Sequence, residues 1–226
     1  MPEQNLKYPE SRPFVKICGL TDPSAARACA DMGADAVGLV FFEKSPRYVF
    51  DDLAQKISLS LGHDTKTLAT GVFVNETYDR IMKKAEQIPL QAVQLHGDEK
   101  PELVAKLVRQ GIIVIKAVFA GKKPFLYSAP DWQEASYLLA ECGAGPLPGG
   151  NAEEWNWADA AGISAQTPVI VAGGLTPDNV RSALQKSKAA GADISSGVES
   201  APGIKDLGKV KNFIRQMNMR HTRRLK

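Results

Sequence analysis

The chain has 226 residues, 44% of them hydrophobic, which is enough to bury one sizeable core in a single domain. Its formal net charge of +3 is too small to indicate a protein that binds nucleic acid or a membrane surface. Three cysteines, Cys18, Cys29 and Cys142, without CxxC spacing argue against a disulfide framework and a zinc site, and favour the reducing cytoplasm. The longest apolar run, AVGLVFF, is too short to cross a bilayer, and the polar start carries no apolar signal region.

Short β-rich runs recur along the chain, with successive starts about 20 to 30 residues apart, an interval that suits a strand, a helix and two loops. Several of these runs are continuously apolar, which is typical of parallel strands covered on both faces. The predicted strands are FVKIC (14–18), AVGLVF (36–41), LATGVFV (68–74), AVQLH (92–96), IIVIKAV (112–118), SYLLA (136–140), PVIVA (168–172) and ADISS (192–196).

Helix signals occupy intervals between these runs. DPSAARACADMG has an Asp that can cap the helix, a Pro at the first helical position and a closing Gly. NETYDRIMKKAEQIP and DEKPELVAKLVRQG are predicted as helices from the same kind of signal. A further helix is predicted to open at Thr176 and Pro177 and to close at Gly191.

Eight strands that alternate with helices leave a closed (β/α)8 barrel or an open doubly wound sheet as options. No GxGxxG follows the first strand, and no change of composition marks a second domain. We therefore predict an α/β fold, an eight-stranded parallel (β/α)8 TIM barrel over residues 1–226 as a single domain. We expect flexible termini at about 1–12 and 216–226, where the basic run MRHTRRLK forms a solvated tail.

The active site of such a barrel lies at the carboxyl ends of the strands, so polar residues at those ends are the candidates for function. Gln94, His96 and Lys116 receive no catalytic role, because they are equally interpretable as structural polar residues. The full set of candidates at the strand ends is Lys16, Cys18, Arg47, Gln94, His96, Lys116, Glu141, Gly173, Gly174, Ser195 and Ser196.

Six segments contain these strand ends: VKICGLT (15–21), ADAVGLVFFEKSPRYV (34–49), GVFVN (71–75), AVQLHGDE (92–99), PVIVAGGLTPDNV (168–180) and ADISSGVESAPGIKD (192–206). In order and spacing, from about Phe14 to about Phe213, they resemble phosphoribosylanthranilate isomerase. The resemblance implies a (β/α)8 barrel of tryptophan biosynthesis that carries out an Amadori rearrangement without a cofactor or a metal.

The resemblance also implies roles for single residues. The cysteine of the KICG motif, Cys18, is the general base, and the arginine of SPRY, Arg47, holds the anthranilate end of the substrate. A base needs thiolate character, and a neighbouring cation can supply it. Lys16 lies two residues before Cys18, so its side chain points to the same side of the strand. We therefore expect Lys16 to act at the substrate site beside Cys18.

Two glycine-rich turns end the seventh and eighth predicted strands, AGGLT and ISSG. In barrels these two loops, with the N-terminus of a short helix, frequently form a phosphate site. Backbone N–H groups can approach a phosphate where side chains are absent. We predict Gly173, Gly174, Ser196 and Gly197 as phosphate ligands.

The sixth strand departs from the family, whose general acid is an aspartate in an LLD motif. Here residues 138–140 read LLA, and the family loop GGTGKTFDW is replaced by GGNAEEWNW (149–157). Glu141 can replace the aspartate, although strand alternation opposes this unless a bulge or an early strand end intervenes. Glu153 or Glu154 can instead fold inward, or Ala140 can leave the site without a carboxylate.

The leading hypothesis is a cytoplasmic isomerase that acts on a small phosphorylated substrate and has no nucleic-acid or membrane partner. Cys18 and Glu141 are its catalytic pair, and the protein is a monomer or a homodimer. The alternative is a phosphosugar-binding barrel whose isomerase activity is lost or altered, because the aspartate of the sixth strand is replaced. An isomerase of relaxed specificity is less favoured, because no second phosphate site is identifiable on the opposite loops.

Overall fold

The computed structural model describes residues 12–144, 154–163 and 167–219. Eight parallel strands form a closed barrel in chain order, and β1 pairs with β8 to complete the ring. The predicted TIM barrel is therefore confirmed. The strands are β1 (Phe14–Cys18), β2 (Ala36–Val40), β3 (Leu68–Phe73), β4 (Ala92–Leu95), β5 (Ile113–Phe119), β6 (Tyr137–Glu141), β7 (Val169–Val171) and β8 (Gly191–Ile194).

Helices follow most of the strands and cover the outside of the barrel. A 3-10 helix, Leu126–Trp132, connects β5 to β6, and a second, Trp157–Gly162, precedes β7. In the parts of the chain that the structure describes, no helix is long and apolar enough to span a membrane. The α-helices are α1 (Pro23–Asp31), α2 (Asp51–Ser60), α3 (Tyr78–Gln87), α4 (Pro101–Arg109), α5 (Val180–Ser187) and α6 (Leu207–Asn218).

A small structure follows the barrel strand β8 at the mouth of the barrel. The 3-10 helix Ser196–Val198 leads into β9 (Glu199–Ala201), which pairs antiparallel with β10 (Ile204–Lys205). Helix α6 then closes the described chain. The short hairpin brings Glu199 and Lys205 into contact with each other through an ion pair of 2.7 Å.

The sequence signals predicted the start of α1 correctly, but they predicted both ends of α5 wrongly. Asp22 caps α1 as predicted, because its carboxylate accepts the N–H of Ala25 at 2.7 Å. Helix α5 begins only at Val180, because the residues after Thr176 form a turn in which its hydroxyl accepts backbone N–H groups. The predicted closing residue Gly191 is instead the first residue of β8.

The predicted flexible termini overlap the described residues at Arg12 and at 216–219. Arg12 forms an ion pair of 2.6 Å with Asp35, and α6 continues to Asn218. Met217 is buried in the core between α6 and the barrel. The remaining parts of the predicted tails, 1–11 and 220–226, lie outside the described residues.

Alternating side chains divide the core into two parts. The odd-numbered residues of β5, such as Ile115 and Ala117, fill the barrel interior, whereas Val114 and Val118 pack against the outer helices. Lys116 therefore points away from the barrel interior, where its ammonium group contacts Glu99 at 2.9 Å. Lys116 is thus a structural polar residue that lies outside the barrel interior.

The same alternation decides which residue of β6 faces the barrel interior. The strand covers Tyr137–Glu141, one residue later than predicted, and pairs with β5 without a register shift. Tyr137 and Leu139 lie in the interior cluster, whereas Ala140 lies in the outer cluster. Glu141 therefore faces inward without a bulge, and Ala140 does not occupy the place of the acid.

Candidate active site

A pocket opens at the carboxyl ends of the barrel strands. Cys18 lies in its wall together with Glu141 from β6 and Asp193 from β8. Its apolar side is formed by side chains of β2, β3 and the residues after them: Val40, Phe42, Val72 and Val74. The pocket thus combines titratable groups with an apolar surface that suits an aromatic ring.

Cys18 occupies the last position of β1 and faces the barrel interior, where it is 8% exposed. Gly38 on the neighbouring strand leaves room for it, because a Cβ at Gly38 would lie 2.5 Å from the Cys18 sulfur. Phe14 and Lys16 precede it on the same face of β1. The strand therefore holds the thiol in the pocket wall with little freedom to move.

Lys16 lies beneath Cys18 and does not line the pocket. Its Nζ is fully buried and contacts Oδ2 of Asp193 at 2.9 Å. Burial alone would lower the pKa of Lys16, but the negative charge of Asp193 and the Cys18 side chain outweigh it, so the pKa is raised. Lys16, predicted as a substrate-binding residue beside Cys18, thus lies outside the pocket lining, and its charge acts on Cys18.

The Cys18 thiol is not activated in the way that the sequence suggested. Burial raises the pKa of Cys18, and the charge of Lys16 only partly opposes this effect. The nearby carboxylate of Asp193 raises it as well. The neutral thiol is therefore favoured at neutral pH, and the thiolate is a minority form.

Glu141 contacts a histidine across the pocket. Its Oε2 lies 2.9 Å from Nε2 of His96, and the two side chains are 10% and 8% exposed. The other ring nitrogen of His96, Nδ1, lies 2.9 Å from Nε2 of Gln94. The His96 ring also packs edge-on against Phe119, with centroids 5.4 Å apart. Sequence reasoning assigned no role to His96, although its place at the end of β4 indicated one.

Of the two alternative carboxylates in the altered loop, Glu154 is described by the structure and does not line the pocket. Glu154 is exposed, and its Oε1 accepts a hydrogen bond of 2.9 Å from Nδ2 of Asn179. Glu154 is therefore wrong as a candidate acid, because its carboxylate is hydrogen-bonded to Asn179 on the outer side of the glycine turn. Glu153 lies outside the described residues.

Arg47 lies in the pocket wall and is held by Glu199. Its Nε and Nη2 donate to the two oxygens of Glu199 at 2.8 and 2.7 Å. Lys205 contacts the same carboxylate at 2.7 Å. Burial would raise the pKa of Glu199, but these two cations lower it. The Nη1 group of Arg47 has no hydrogen bond to the described part of the chain, so it is free for a ligand carboxylate.

The glycine turn after β7 lines the pocket with backbone. Gly173 and Gly174 have φ of 84° and 65°, and a Cβ on Gly174 would lie 2.6 Å from the Glu154 backbone nitrogen. Neither N–H group donates to an acceptor in residues 12–144, 154–163 or 167–219. Both N–H groups are therefore available to an anion in the pocket.

The carbonyl groups of this turn are bonded on its outer side. Trp155 Nε1 donates to the carbonyl oxygen of Ala172 at 2.8 Å, and Trp157 Nε1 donates to that of Gly173 at 3.2 Å. Asn179 Nδ2 donates to the carbonyl oxygen of Gly174 at 2.8 Å. The tryptophans of the altered loop thus fix the orientation of the turn, a role that sequence reasoning missed.

The turn after β8 contributes Ser195 and Ser196 to the pocket. Gly197 does not line it, because this residue packs against the preceding turn instead. A Cβ on Gly197 would lie 1.9 Å from the carbonyl oxygen of Leu175. The prediction of Gly197 as a phosphate ligand is therefore not supported, whereas Ser196 lies where it was expected.

Asp193 and Glu199 are site residues that sequence reasoning did not find. Oδ1 of Asp193 is buried and has no hydrogen-bond partner among the residues described, although the side chain lines the pocket. Asp193 lies two residues before the predicted site residue Ser195. Its side chain therefore points to the same side of the chain, which could have indicated it as a site residue. Glu199 gave no local signal, because its partner Arg47 lies 152 positions away in the chain. Within the described ranges, no group of three or more His, Cys, Asp or Glu is placed to hold a metal ion.

Comparison with known proteins agrees with this arrangement. The family model for N-(5'-phosphoribosyl)anthranilate (PRA) isomerase matches residues 15–216. This chain belongs to the phosphoribosylanthranilate isomerase family. The N-(5'-phosphoribosyl)anthranilate isomerase of Desulfatibacillum aliphaticivorans is 49% identical over 200 residues, which cover 88% of this chain and 90% of the relative. That of Pelobacter propionicus is 40% identical over 201 residues, covering 89% and 93%.

Solved structures of the family have the same fold. The crystal structure of the Thermotoga maritima isomerase matches with a TM-score of 0.82 and 36% identity, covering 91% of this chain and 98% of that one. An isomerase in complex with reduced 1-(o-carboxyphenylamino)-1-deoxyribulose 5-phosphate matches with a TM-score of 0.77 and 35% identity at the same coverage. Monomers generated from the dimeric Thermotoga maritima isomerase match with a TM-score of 0.78 and 34% identity, again at that coverage.

Proposed function

We propose that this chain converts N-(5-phosphoribosyl)anthranilate to 1-(2-carboxyphenylamino)-1-deoxyribulose 5-phosphate, with Cys18 as general base and Glu141 as general acid. The observation that carries the proposal is that Glu141 faces inward from β6 into the pocket that Cys18 lines. An acid and a base in one pocket match a reaction that adds a proton at one atom and removes it at another.

Three parts of the pocket match three parts of this substrate. The N–H groups of Gly173, Gly174 and Ser196 bind the phosphate, and the apolar side receives the anthranilate ring. Arg47 donates from Nη1 to the ring carboxylate, while Glu199 holds the rest of its guanidinium.

The chemistry follows from these positions. Glu141 protonates the furanose ring oxygen, the C1'–O bond breaks, and the lone pair of the anthranilate nitrogen completes a Schiff base. The Cys18 thiolate then takes the C2' proton, which yields an enolamine, and the enolamine tautomerises to the ketone. Each proton-transfer group contributes typically about 10²–10⁴ in rate. No step of this sequence calls on a cofactor.

The rival proposal, a phosphosugar-binding barrel without activity, depended on a missing carboxylate in the sixth strand. Glu141 occupies the inward position, so this support is removed. We keep as part of the proposal that the enzyme works in the cytoplasm, as a monomer or a homodimer, without a nucleic-acid partner. Sedimentation of the purified chain distinguishes the two oligomeric states.

Fluorescence-monitored turnover of freshly made phosphoribosylanthranilate tests the activity, and complementation of an isomerase-deficient auxotroph tests it in cells. We expect wild-type turnover in both assays, and a loss of about 10²-fold or more in Cys18→Ala. Cys29→Ala is a matched control, because Cys29 is buried between α1 and the barrel and does not line the pocket. An inert wild-type chain, or Cys18→Ala within a few-fold of wild type, would contradict the proposal.

A further inference from the structure

The His96–Glu141 contact carries an inference that rests on the proposed function and extends it. We infer that the proton that opens the sugar ring is held by the two side chains together, and that His96 is the residue that keeps it available to Glu141. Glu141 touches the substrate, whereas His96 acts through Glu141 and is a positioning residue. The inference follows from the geometry of the pair, the amide beside it and the charges around it.

The geometry gives the pair a direct route for a proton. Nε2 of His96 and Oε2 of Glu141 lie 2.9 Å apart, a normal distance for a charge-assisted hydrogen bond. A carboxyl side chain alone is ionised at neutral pH, so it has no proton to give. An imidazole ring exchanges its proton near neutral pH. A carboxylate that must donate therefore gains a proton source through this contact.

Gln94 suits both protonation states of the ring. Its Nε2 lies 2.9 Å from Nδ1 of His96, and its Oε1 is buried without a hydrogen-bond partner among the residues described. The amide NH₂ can donate to Nδ1 of a neutral ring, and after a half-turn the amide oxygen can accept from Nδ1–H of a charged ring. Gln94 is 2% exposed, so water does not compete readily for either bond. The ring can thus gain or lose a proton without losing its partner.

The charged groups around the pair come from three other parts of the barrel. Asp193 on β8 interacts electrostatically with His96 and Glu141, and Lys16 on β1 neutralises part of its charge. Lys122, after β5, interacts with Glu141 from the other side. The pair thus has the Asp193 carboxylate and the Lys122 ammonium group as charged neighbours.

With this pair, every proton that moves in the reaction has a donor and an acceptor. A proton passes from Nε2 of His96 through Glu141 to the ring oxygen, and the electrons of the broken C1'–O bond stay on that oxygen. Cys18 takes the C2' proton and returns it to C1'. The C2' hydroxyl gives its proton back to the pair as the ketone forms. The His96–Glu141 pair and Cys18 therefore end the cycle in the protonation states in which they began it.

His96→Gln tests the inference, because a glutamine amide can still donate to Glu141 but cannot hold a transferable proton. At neutral pH we expect kcat to fall about 10²-fold, with KM within about threefold. We expect the kcat of the variant relative to that of wild type to recover as the pH falls, because solvent then supplies the proton to Glu141 and the loss of Cys18 thiolate is common to both proteins. His63→Gln is the matched control, because His63 is exposed on the loop after α2 and lies outside the pocket.

Two results would overturn the inference. His96→Gln with wild-type kcat at every pH would show that His96 supplies nothing, and a loss of kcat that is independent of pH would show a purely structural role. Glu141→Gln and Cys18→Ala measured beside it separate the two claims: if both lose activity while His96→Gln does not, the inference alone fails. If both retain activity, the proposed function fails.

A second measurement does not depend on the folding of His96→Gln. The His96 ring is followed by NMR in the wild-type chain and in Glu141→Gln as the pH changes. Removal of the paired carboxylate charge should move the protonation of the ring to lower pH. A ring that protonates over the same pH range in both proteins would overturn the inference.

Discussion

Arg47 and Glu199 form a doubly hydrogen-bonded ion pair at the mouth of the barrel, with N–O distances of 2.8 and 2.7 Å. The two side chains are 8% and 6% exposed, so the pair is almost completely removed from water. Glu199 also contacts Lys205, and a Cβ on Gly19 would lie 2.5 Å from Cδ of Arg47. The arginine is therefore fixed from two sides, which leaves one edge of its guanidinium to meet a ligand.

Glu199→Gln should destabilise the protein, because it leaves the buried charges of Arg47 and Lys205 without their shared carboxylate. Breaking such a pair typically lowers the free energy of unfolding by about 3 kcal/mol or more, measurable by urea denaturation. The KM for substrate should rise as well, because Arg47 loses its support. Arg80→Gln is the control: Arg80 is 71% exposed and 3.5 Å from Glu76, and exposed pairs contribute less than about 1 kcal/mol. Equal stability of the two variants would contradict the account.

The pH dependence of alkylation should report the Cys18 thiol. Burial raises its pKa above the ordinary value of 9.0, so the thiolate becomes more abundant as the pH rises through 9 and beyond. The rate at which iodoacetamide modifies Cys18, followed by peptide mass spectrometry, should therefore keep rising over that range, and Lys16→Met should displace the rise to higher pH. This rate does not depend on the general acid, which must keep its proton during turnover. A plateau by pH 7 would be inconsistent with this state of the thiol.

Trp155→Phe should weaken phosphate binding, because the carbonyl group of Ala172 loses its hydrogen bond and the glycine turn loses part of its support. One such bond contributes about 0.5–1.5 kcal/mol, so the dissociation constant for inorganic phosphate should rise roughly 2- to 10-fold, with kcat within about twofold. Calorimetric titration measures the change. Trp132→Phe is the matched control, since Nε1 of Trp132 has no hydrogen-bond partner among the residues described. Identical phosphate affinity in both variants would refute the role of Trp155.

Gly197→Ala should destabilise the loop after β8, because the new Cβ would lie 1.9 Å from the carbonyl oxygen of Leu175. Overpacking of this kind typically lowers the free energy of unfolding by about 1–3 kcal/mol. Gly162→Ala introduces the same atom where nothing lies within 4 Å, so its urea midpoint should match that of wild type. If Gly197→Ala unfolds at the wild-type midpoint, the turns after β7 and β8 are not closely packed against each other.

The barrel could be predicted from the sequence because its strands are short apolar runs at regular intervals, a pattern that depends only on local residues. Helix α1 was likewise predictable, since Asp22 and Pro23 act within one turn. The boundaries of β6 were not predictable to one residue. That single residue decided whether Ala140 or Glu141 faced the pocket, because side chains alternate along a strand.

The residues that line the pocket were predictable where they lie at or just after the end of a strand, as Cys18, Gly173 and Ser196 do. The site was not predictable where a partner comes from a distant part of the chain. Lys16 was expected at the substrate, but its ion pair with Asp193, 177 positions away, retains it below the pocket. Burial also reversed the expected effect on the Cys18 pKa, because desolvation depends on every neighbour in the fold.

Turnover of phosphoribosylanthranilate by Glu141→Gln decides whether the inward carboxylate of β6 is the acid that opens the sugar ring. We predict that kcat falls about 10²–10⁴-fold, with KM within a few-fold, and that Glu141→Asp retains part of the activity because it keeps the carboxylate. A kcat for Glu141→Gln within a few-fold of wild type would contradict the assignment.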